Sequence, residues 1–175
     1  MTGQLEIRES KPQDRATIDA LYRAAFPEED LLPLLTELLK DGPDVLSLVA
    51  LTEDQLAGHV IFTPCGIDHR PGTASLLGPL AVAPNRQRQG VGGELVRAGL
   101  QRLEADGTEL VCALGDPGYY GRFGFAREAA VLPPYKLPKE WDGAWQSLCL
   151  KEGVPPVGGT LKVPEPWQKQ TLWSP

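Results

Sequence analysis

A stretch rich in glycine and glutamine, Gln87-Arg88-Gln89-Gly90-Val91-Gly92, lies where an apolar, strand-like run leads into a helical pattern. The first amides of a helix lack intrahelical acceptors and carry partial positive charge, so they attract anions. Glycines have no Cβ atom and let an anion approach the backbone closely. Arg86 and Arg88 add positive charge locally. The pattern predicts a phosphate or pyrophosphate site, and the alternative is a glycine turn that binds nothing.

Two common phosphate-binding motifs do not fit this stretch. The sequence contains no GxxxxGK[ST] run, which excludes a P-loop. A dinucleotide-binding turn requires a third glycine where Leu95 stands, and the segment 83–89 is too long for such a turn. The predicted anion site is therefore of another kind.

A second motif, Tyr119-Tyr120-Gly121-Arg122-Phe123-Gly124-Phe125, follows one predicted helix and one predicted strand further along the chain. The run Leu80-Ala81-Val82-Ala83-Pro84 precedes the glycine-rich loop. In this order and spacing, these motifs resemble the GCN5-related N-acetyltransferases over roughly residues 5–126. Within that family, the segment 114–125 is most similar to the YhbS-like branch.

The resemblance implies that acetyl-CoA is the acyl donor and assigns a set of binding and catalytic residues. Leu80, Ala81 and Val82 would bind the pantetheine arm through their backbone, as an added strand would, and the Val82 N–H would polarise the thioester carbonyl. Tyr120 would donate a proton to the departing thiolate, since a phenol with a pKa near 10 is protonated at neutral pH. The alternative is that Tyr120 packs in the core or contacts the cofactor without transferring a proton. The implied pyrophosphate ligands are Gln87, Arg88, Gln89, Gly90, Val91, Gly92 and Gly93.

No motif defines the base that would accept the proton of the amine. The acidic run Glu28, Glu29 and Asp30 is a candidate, and its alternative role is to cap the next helix. His59 and Asp116 are further candidates, although a histidine within a strand is more typical of a core position. A water molecule could take the same role.

Strands and helices alternate around these motifs. Gly78-Pro79 within one apolar run predicts a strand that is either at an edge or locally distorted, because proline cannot donate a ladder hydrogen bond. The strand–helix–strand unit over 75–114 predicts parallel pairing, and Asp41-Gly42-Pro43 predicts the end of the second helix. We expect strands at about 5–8, 45–51, 56–63, 75–82 and 109–114, and helices at about 12–25, 31–40, 90–106 and 119–123.

The predicted fold class is α/β, with a mixed central sheet flanked by helices, as in the GNAT family. All four tryptophans lie beyond residue 140, in a proline-rich segment. We therefore expect an acyl-CoA N-acyltransferase domain over 1–130 and a Pro/Trp-rich C-terminal extension over 131–175, packed on the same domain as loops and edge strands. The extension could line an acceptor pocket, form a homodimer interface or cap the sheet.

Composition excludes several classes of function. The 175 residues are 42% hydrophobic and 23% charged, which is typical of one globular domain. A net charge of −6 argues against binding to nucleic acid. The three cysteines and two histidines show no metal-ligand spacing. With no apolar run near the ~20 residues of a membrane span and no signal-peptide pattern, we expect no membrane association and a cytoplasmic location.

The sequence therefore predicts an acetyl-CoA-dependent N-acetyltransferase that acts on a primary amine of a small molecule or peptide. The expected route is direct attack in a ternary complex, because no cysteine–histidine pairing is apparent. The alternative is a non-catalytic module that senses acyl-CoA or regulates a partner. A third option, transfer to aminoacyl-tRNA, is disfavoured by the negative net charge.

Overall fold

The computed structural model describes residues 4–40, 44–151 and 158–175. Four α-helices are present in these ranges: α1 (Arg15–Ala25), α2 (Leu32–Leu39), α3 (Val91–Ala105) and α4 (Pro117–Tyr120). The strands are β1 (Leu5–Glu9), β2 (Leu46–Thr52), β3 (Gln55–Ile67), β4 (Arg70–Val82), β5 (Leu110–Leu114), β6 (Ala126–Arg127), β7 (Val131–Leu132), β8 (Trp145–Cys149) and β9 (Gly159–Lys162). No helix in the described ranges is both long and apolar enough to cross a bilayer.

The predicted elements are present, with bounds that differ in places. A 3₁₀ turn at Pro12–Asp14 precedes α1 and occupies the start of the predicted helix 12–25. Strands β3 and β4 are each 13 residues long. They exceed the predicted ranges because Pro64, Gly66 and Pro71 mask a continuous strand pattern in the sequence. The predicted helix stop at Asp41-Gly42-Pro43 lies outside the described residues.

The chain divides into two compact units, and each contains two separate stretches of sequence. The first unit comprises Met1–Phe62 and Pro79–Gln101, and the second comprises Thr63–Gly78 and Arg102–Pro175. Strands β3 and β4 and helix α3 contribute residues to both units.

In the first unit, β1 and β2 pair antiparallel, and β2 pairs antiparallel with the first part of β3. Helix α3 packs directly on β3 because glycines stand at two contact points. A Cβ atom at Gly58 would lie only 2.9 Å from side-chain atoms of Val91 and Leu95. A Cβ atom at Gly99 would overlap the ring of Phe62, which is fully buried. Close helix–strand contact therefore depends on these two small residues.

In the second unit, the first part of β4 pairs parallel with β5, from Ala74↔Leu110 to Leu77↔Ala113, as the strand–helix–strand pattern predicts. Strand β8 pairs antiparallel with β5 and also with β6. The end of β3 pairs with β9, which in turn pairs with β7. The C-terminal region thus contributes an interior strand, β8, and the expectation of edge strands alone is wrong for it. The reason is that β8 forms backbone hydrogen bonds with β5 on one side and with β6 on the other.

Three of the four tryptophans form the centre of the second unit. The ring of Trp173 packs edge-on against Trp145 and Trp167, with centroid distances of 5.8 and 6.1 Å. Each indole N–H donates to a buried acceptor, which is Val131 O for Trp145, Thr63 Oγ1 for Trp167 and Trp167 O for Trp173. These rings are therefore core residues with satisfied polar atoms.

Gly99→Ala tests the contact between α3 and β3. Alanine favours a helix by about 1 kcal/mol over glycine, but the new methyl group must displace the Phe62 ring. Overpacking of a core typically costs about 1–3 kcal/mol, so we expect the free energy of unfolding to decrease in urea denaturation. Phe62→Leu combined with Gly99→Ala should show favourable coupling, because the smaller side chain makes room. A stability equal to or above that of the unmodified chain would contradict this packing.

Candidate functional site

The end of β4, Leu80–Val82, presents backbone groups along one side of the strand. The N–H of Ala83 donates to Ala57 O on β3 at 2.8 Å. Because successive residues of a strand direct their backbone groups to alternate sides, Val82 and Leu80 direct theirs away from β3. In agreement, Val82 O accepts a hydrogen bond from Gln87 Nε2 at 3.3 Å. This side of the strand can bind an extended ligand as a further strand would.

The same region of β4 is distorted by Gly78-Pro79. The described pairing of β4 with β5 ends at Leu77↔Ala113, directly before this dipeptide. Gly78 has a φ of +145°, which side chains strongly disfavour. Pro79 has no N–H to donate. Since β4 has neighbours on both sides, β3 and β5, the prediction of a local distortion is confirmed and the alternative of an edge strand is wrong.

The loop between β4 and α3 has the geometry of an anion site. A 3₁₀ turn at Pro84–Arg86 leads into an exposed turn, in which Arg88 and Gly90 have φ values of 63° and 85°. Left-handed residues in such turns direct neighbouring amides into a shared concavity that binds anions. The N–H of Glu94 donates to Gly90 O at 3.0 Å, so the amides of 91–93 precede the first helical bond.

Space and charge at this loop also favour an anion. A Cβ atom at Gly90 would meet no heavy atom within 4 Å. Neither Arg86 nor Arg88 has an ion-pair partner in the described part of the chain. The Val91 side chain is buried against β3, so only its backbone can face a ligand. The predicted ligands Leu80–Val82 and Gln87–Gly93 thus form one continuous path in the first unit.

Tyr120 lies in the second unit and is the last residue of α4. Asp116 caps this short helix, since its Oδ1 accepts from Gly118 N at 2.9 Å and its carbonyl oxygen accepts from Tyr120 N at 3.0 Å. The Tyr120 ring covers Gly115, where a Cβ atom would lie 2.7 Å from Tyr120 Cε2. Gly115 therefore allows the ring to take this position.

The surroundings of Tyr120 keep its hydroxyl protonated. Its ring contacts Tyr119 and Phe125 edge-on, at centroid distances of 5.2 and 5.6 Å. Burial raises the pKa of the Tyr120 phenol above its ordinary value, and the neighbouring Tyr119 adds a smaller contribution. Tyr120 is therefore a hydrogen donor at neutral pH.

His59, one of the candidate bases, is a fully buried core residue. Its Nδ1 is 2.8 Å from Tyr22 Oη, and its Nε2 is 2.8 Å from Ser47 Oγ. Burial lowers the pKa of His59 to about 3, so the ring is neutral at physiological pH. Both ring nitrogens are occupied by hydrogen bonds, which supports the core interpretation.

The acidic candidates are exposed or serve as caps. Asp30 Oδ1 accepts from Leu32 N at the start of α2, at 3.2 Å, and Asp116 caps α4 as described above. Glu28 and Glu29 are exposed. In the described residues, no group of three or more His, Cys, Asp or Glu side chains could hold a metal ion.

Sequence reasoning missed two residues at these sites. Tyr22 lies on the apolar face of α1, and nothing in the sequence shows that its hydroxyl meets His59 and the carbonyl of Pro79 (3.3 Å). The sequence does not mark Gly115 either, because its role depends on where the ring of Tyr120 lies.

The second unit also contains a cavity of about 800 Å³. Its lining is aromatic and proline-rich, as the composition of the C-terminal region predicts, and includes Tyr135, Trp141, Trp145, Pro133, Pro134 and Pro138. A cavity of this size and lining accommodates a small organic molecule. The role of the extension as an acceptor pocket stays a prediction.

Comparison with known proteins identifies the family. The model of the acetyltransferase (GNAT) family matches residues 15–125. The uncharacterized N-acetyltransferase YjhQ of Escherichia coli is 31% identical over 160 residues, which cover 87% of this chain and 88% of YjhQ. The uncharacterized N-acetyltransferase YhbS of Escherichia coli is 38% identical over 120 residues, which cover 68% of this chain and 72% of YhbS.

Solved structures agree with this match. Escherichia coli YhbS in complex with CoA superimposes with a TM-score of 0.85 at 31% identity, covering 97% of this chain and 94% of YhbS. A GNAT acetyltransferase from Brucella melitensis in complex with acetyl-CoA gives 0.76 at 31% identity, covering 94% and 99%. Since the family model covers most of the chain and both relatives share its fold, this chain belongs to the GNAT family and is an N-acetyltransferase.

Proposed function

We propose that this N-acetyltransferase moves the acetyl group of acetyl-CoA to a primary amine of a small molecule or peptide, by direct attack within a ternary complex. The observation that carries the proposal is the continuous backbone path from Leu80–Val82 through the loop 87–90 into α3. Two similar proteins are named as complexes with CoA or acetyl-CoA, which supports acetyl-CoA as the donor. A cytoplasmic location, a homodimer and the domain bounds 1–130 and 131–175 remain predictions.

The backbone path supplies the binding chemistry. The N–H groups of Gln87–Gly93 would hold the pyrophosphate, with Arg86 and Arg88 adding charge. The Leu80–Val82 backbone would pair with the amides of the pantetheine arm. The Val82 N–H, directed away from β3, would donate to the thioester carbonyl and to the oxyanion that develops there.

Tyr120 would assist departure of the CoA thiolate. The amine nitrogen forms a bond to the thioester carbon and loses one proton to water, while the C–S bond breaks and its electron pair goes to sulfur. A phenol whose pKa lies above its ordinary value is a weaker acid than a thiol, for which about 8.5 is typical. We therefore assign Tyr120 chiefly a hydrogen bond to the developing thiolate, with the final proton supplied through solvent.

The two buried cysteines, Cys65 and Cys112, support direct attack over an acyl-enzyme route. Burial raises the pKa of Cys65 to about 12, and it raises the pKa of Cys112 as well. A buried thiol of this kind carries almost no thiolate at neutral pH, and the thiolate is the nucleophilic form. Neither residue can therefore serve as an acetyl carrier under ordinary conditions.

The binding site is tested by thermal unfolding with and without acetyl-CoA. Ligand at about 100 times Kd should add about 2.7 kcal/mol to the free energy of unfolding, which raises Tm by roughly 5–10 °C in a domain of this size. Free adenosine is the control ligand. An unchanged Tm at millimolar acetyl-CoA would refute the site.

Gly90→Ala tests the loop itself, and Gly107→Ala is its matched control. Both glycines have φ values near +85°, and a Cβ atom at either would meet nothing within 4 Å. Both variants should therefore lose about 1 kcal/mol of stability, but only Gly90→Ala should weaken binding of acetyl-CoA in calorimetry, by about 10-fold. Equal affinities of the two variants would show that the loop is only a turn.

Tyr120→Phe should reduce kcat by about 100-fold at unchanged affinity for acetyl-CoA, because the hydroxyl acts only as charge develops on sulfur. Tyr119→Phe is the control, and its kcat should stay within a factor of about 2. Steady-state assays with a panel of primary amines measure both. A Tyr120→Phe enzyme with normal kcat would leave the residue a packing role. Binding of acetyl-CoA without turnover on any amine would favour the non-catalytic sensor.

Gly115→Ala should act through Tyr120 by displacing its ring. The new methyl group would lie 2.7 Å from Tyr120 Cε2, whereas one at Gly121 would meet nothing within 4 Å. We expect Gly115→Ala to lower kcat and alter the near-UV circular dichroism of the tyrosines, and Gly121→Ala to change neither. Full activity of Gly115→Ala would show that the ring position is unimportant.

A further inference from the structure

A chain of hydrogen bonds in the first unit, buried at its centre, ends at the distorted part of β4. Ser10 Oγ lies 2.7 Å from Ser47 Oγ, which lies 2.8 Å from His59 Nε2. His59 Nδ1 lies 2.8 Å from Tyr22 Oη, which lies 3.3 Å from Pro79 O. Four separate elements contribute to this chain, and Tyr22 and His59 at its centre are almost completely buried.

The tautomer of His59 sets the direction of the chain. With the ring proton on Nδ1, the hydroxyl proton of Tyr22 is donated to the carbonyl of Pro79, which can only accept. The Tyr22 oxygen then accepts from Nδ1–H of His59, whose ring is neutral and leaves Nε2 as an acceptor. Nε2 accepts the proton of Ser47 Oγ, which in turn accepts from Ser10. Of the two neutral tautomers of His59, the one with its proton on Nδ1 gives every donor of this chain an acceptor within it.

The last bond of the chain constrains a second group across the peptide plane. The C=O of Pro79 and the N–H of Leu80 belong to one planar trans peptide and point in opposite directions. Pro79 has no N–H to donate and Gly78 has a φ of +145°, so this peptide is held by the pairing of β4 with β3 and by the bond from Tyr22. The bond from Tyr22 therefore helps to fix where the Leu80 N–H points, which is away from β3.

We propose that Tyr22, held by His59 and Ser47, is a positioning residue that orients the Leu80 N–H toward the pantetheine arm of acetyl-CoA. The inference rests on the proposed function, because Leu80 belongs to the proposed pantetheine edge. Tyr22 itself does not touch the cofactor and acts through the Pro79–Leu80 peptide. Its contribution should appear only with ligands that carry the pantetheine arm.

Tyr22→Phe tests this assignment, with CoA and adenosine 3′,5′-bisphosphate as the two probes in calorimetry. The bisphosphate has the 3′-phosphoadenosine end of CoA with one of the two pyrophosphate phosphates, and it lacks the pantetheine arm. Loss of one oriented hydrogen bond should weaken CoA binding about 3- to 10-fold, raise the KM for acetyl-CoA similarly, and leave the bisphosphate affinity within about 2-fold. Equal changes for both probes, or none for CoA, would overturn the proposal.

Ser47→Ala provides a second variant in case Tyr22→Phe does not fold. Without the serine donor, His59 can carry its proton on Nε2 and accept from Tyr22 at Nδ1, which withdraws the tyrosine proton from Pro79. The same selective loss of CoA affinity is expected, and unchanged selectivity in a folded Ser47→Ala variant would refute the positioning role. If the unmodified chain binds neither CoA nor the bisphosphate, the proposed function fails and the positioning role fails with it. If the unmodified chain binds both probes and neither variant loses affinity for CoA selectively, only the positioning role fails.

Discussion

The interruption of β4 at Gly78-Pro79 is the constraint on which the proposed chemistry depends. Before this dipeptide, β4 pairs with β5 through Leu77. After it, the strand continues to Val82 and keeps its hydrogen bond to β3 through Ala83. A strand that remains ordered while one side of its backbone stops pairing can offer N–H and C=O groups to a ligand. Glycine and proline produce this break because one permits an unusual φ and the other removes a donor.

The proposed donor site is built from backbone rather than from side chains. Leu80–Val82, the turn around Arg88 and Gly90, and the first amides of α3 follow one another along the chain. At these positions the backbone conformation determines where the N–H groups point. The left-handed φ of Arg88 is a strained conformation that the loop maintains. The close packing of α3 on β3, through Gly58 and Gly99, holds the helix that supplies those amides.

Burial determines the charge state of the groups that could take part in chemistry. Burial lowers the pKa of His59 and raises the pKa values of Tyr120 and Cys65, so each group keeps its uncharged form over a wider pH range. These uncharged forms agree with the proposed direct transfer, in which the protein donates hydrogen bonds. The local cations Arg86 and Arg88 stand out in an acidic chain, and they lie beside the predicted pyrophosphate amides.

The family and the fold class follow from the sequence alone, and the same sequence predicts the phosphate loop. An alternation of strands and helices indicates the fold class. The family follows from the resemblance of the glycine-rich loop and the Tyr-Tyr motif, in their order and spacing, to known acetyltransferases. Even the distortion at Gly78-Pro79 is predictable, because it depends on the two residues themselves.

Tertiary structure alone decides what distant residues do to each other. Three examples depend on segments that are far apart in the sequence. Tyr22 bonds to Pro79 O, His59 is held between Tyr22 and Ser47, and β8 lies beside β5. Helical spacing marks Tyr22 as a core residue but cannot show where its hydroxyl points. A local sequence pattern indicates which face of a helix or strand is buried. The hydrogen-bond partner of a buried polar atom depends instead on how all the elements pack together.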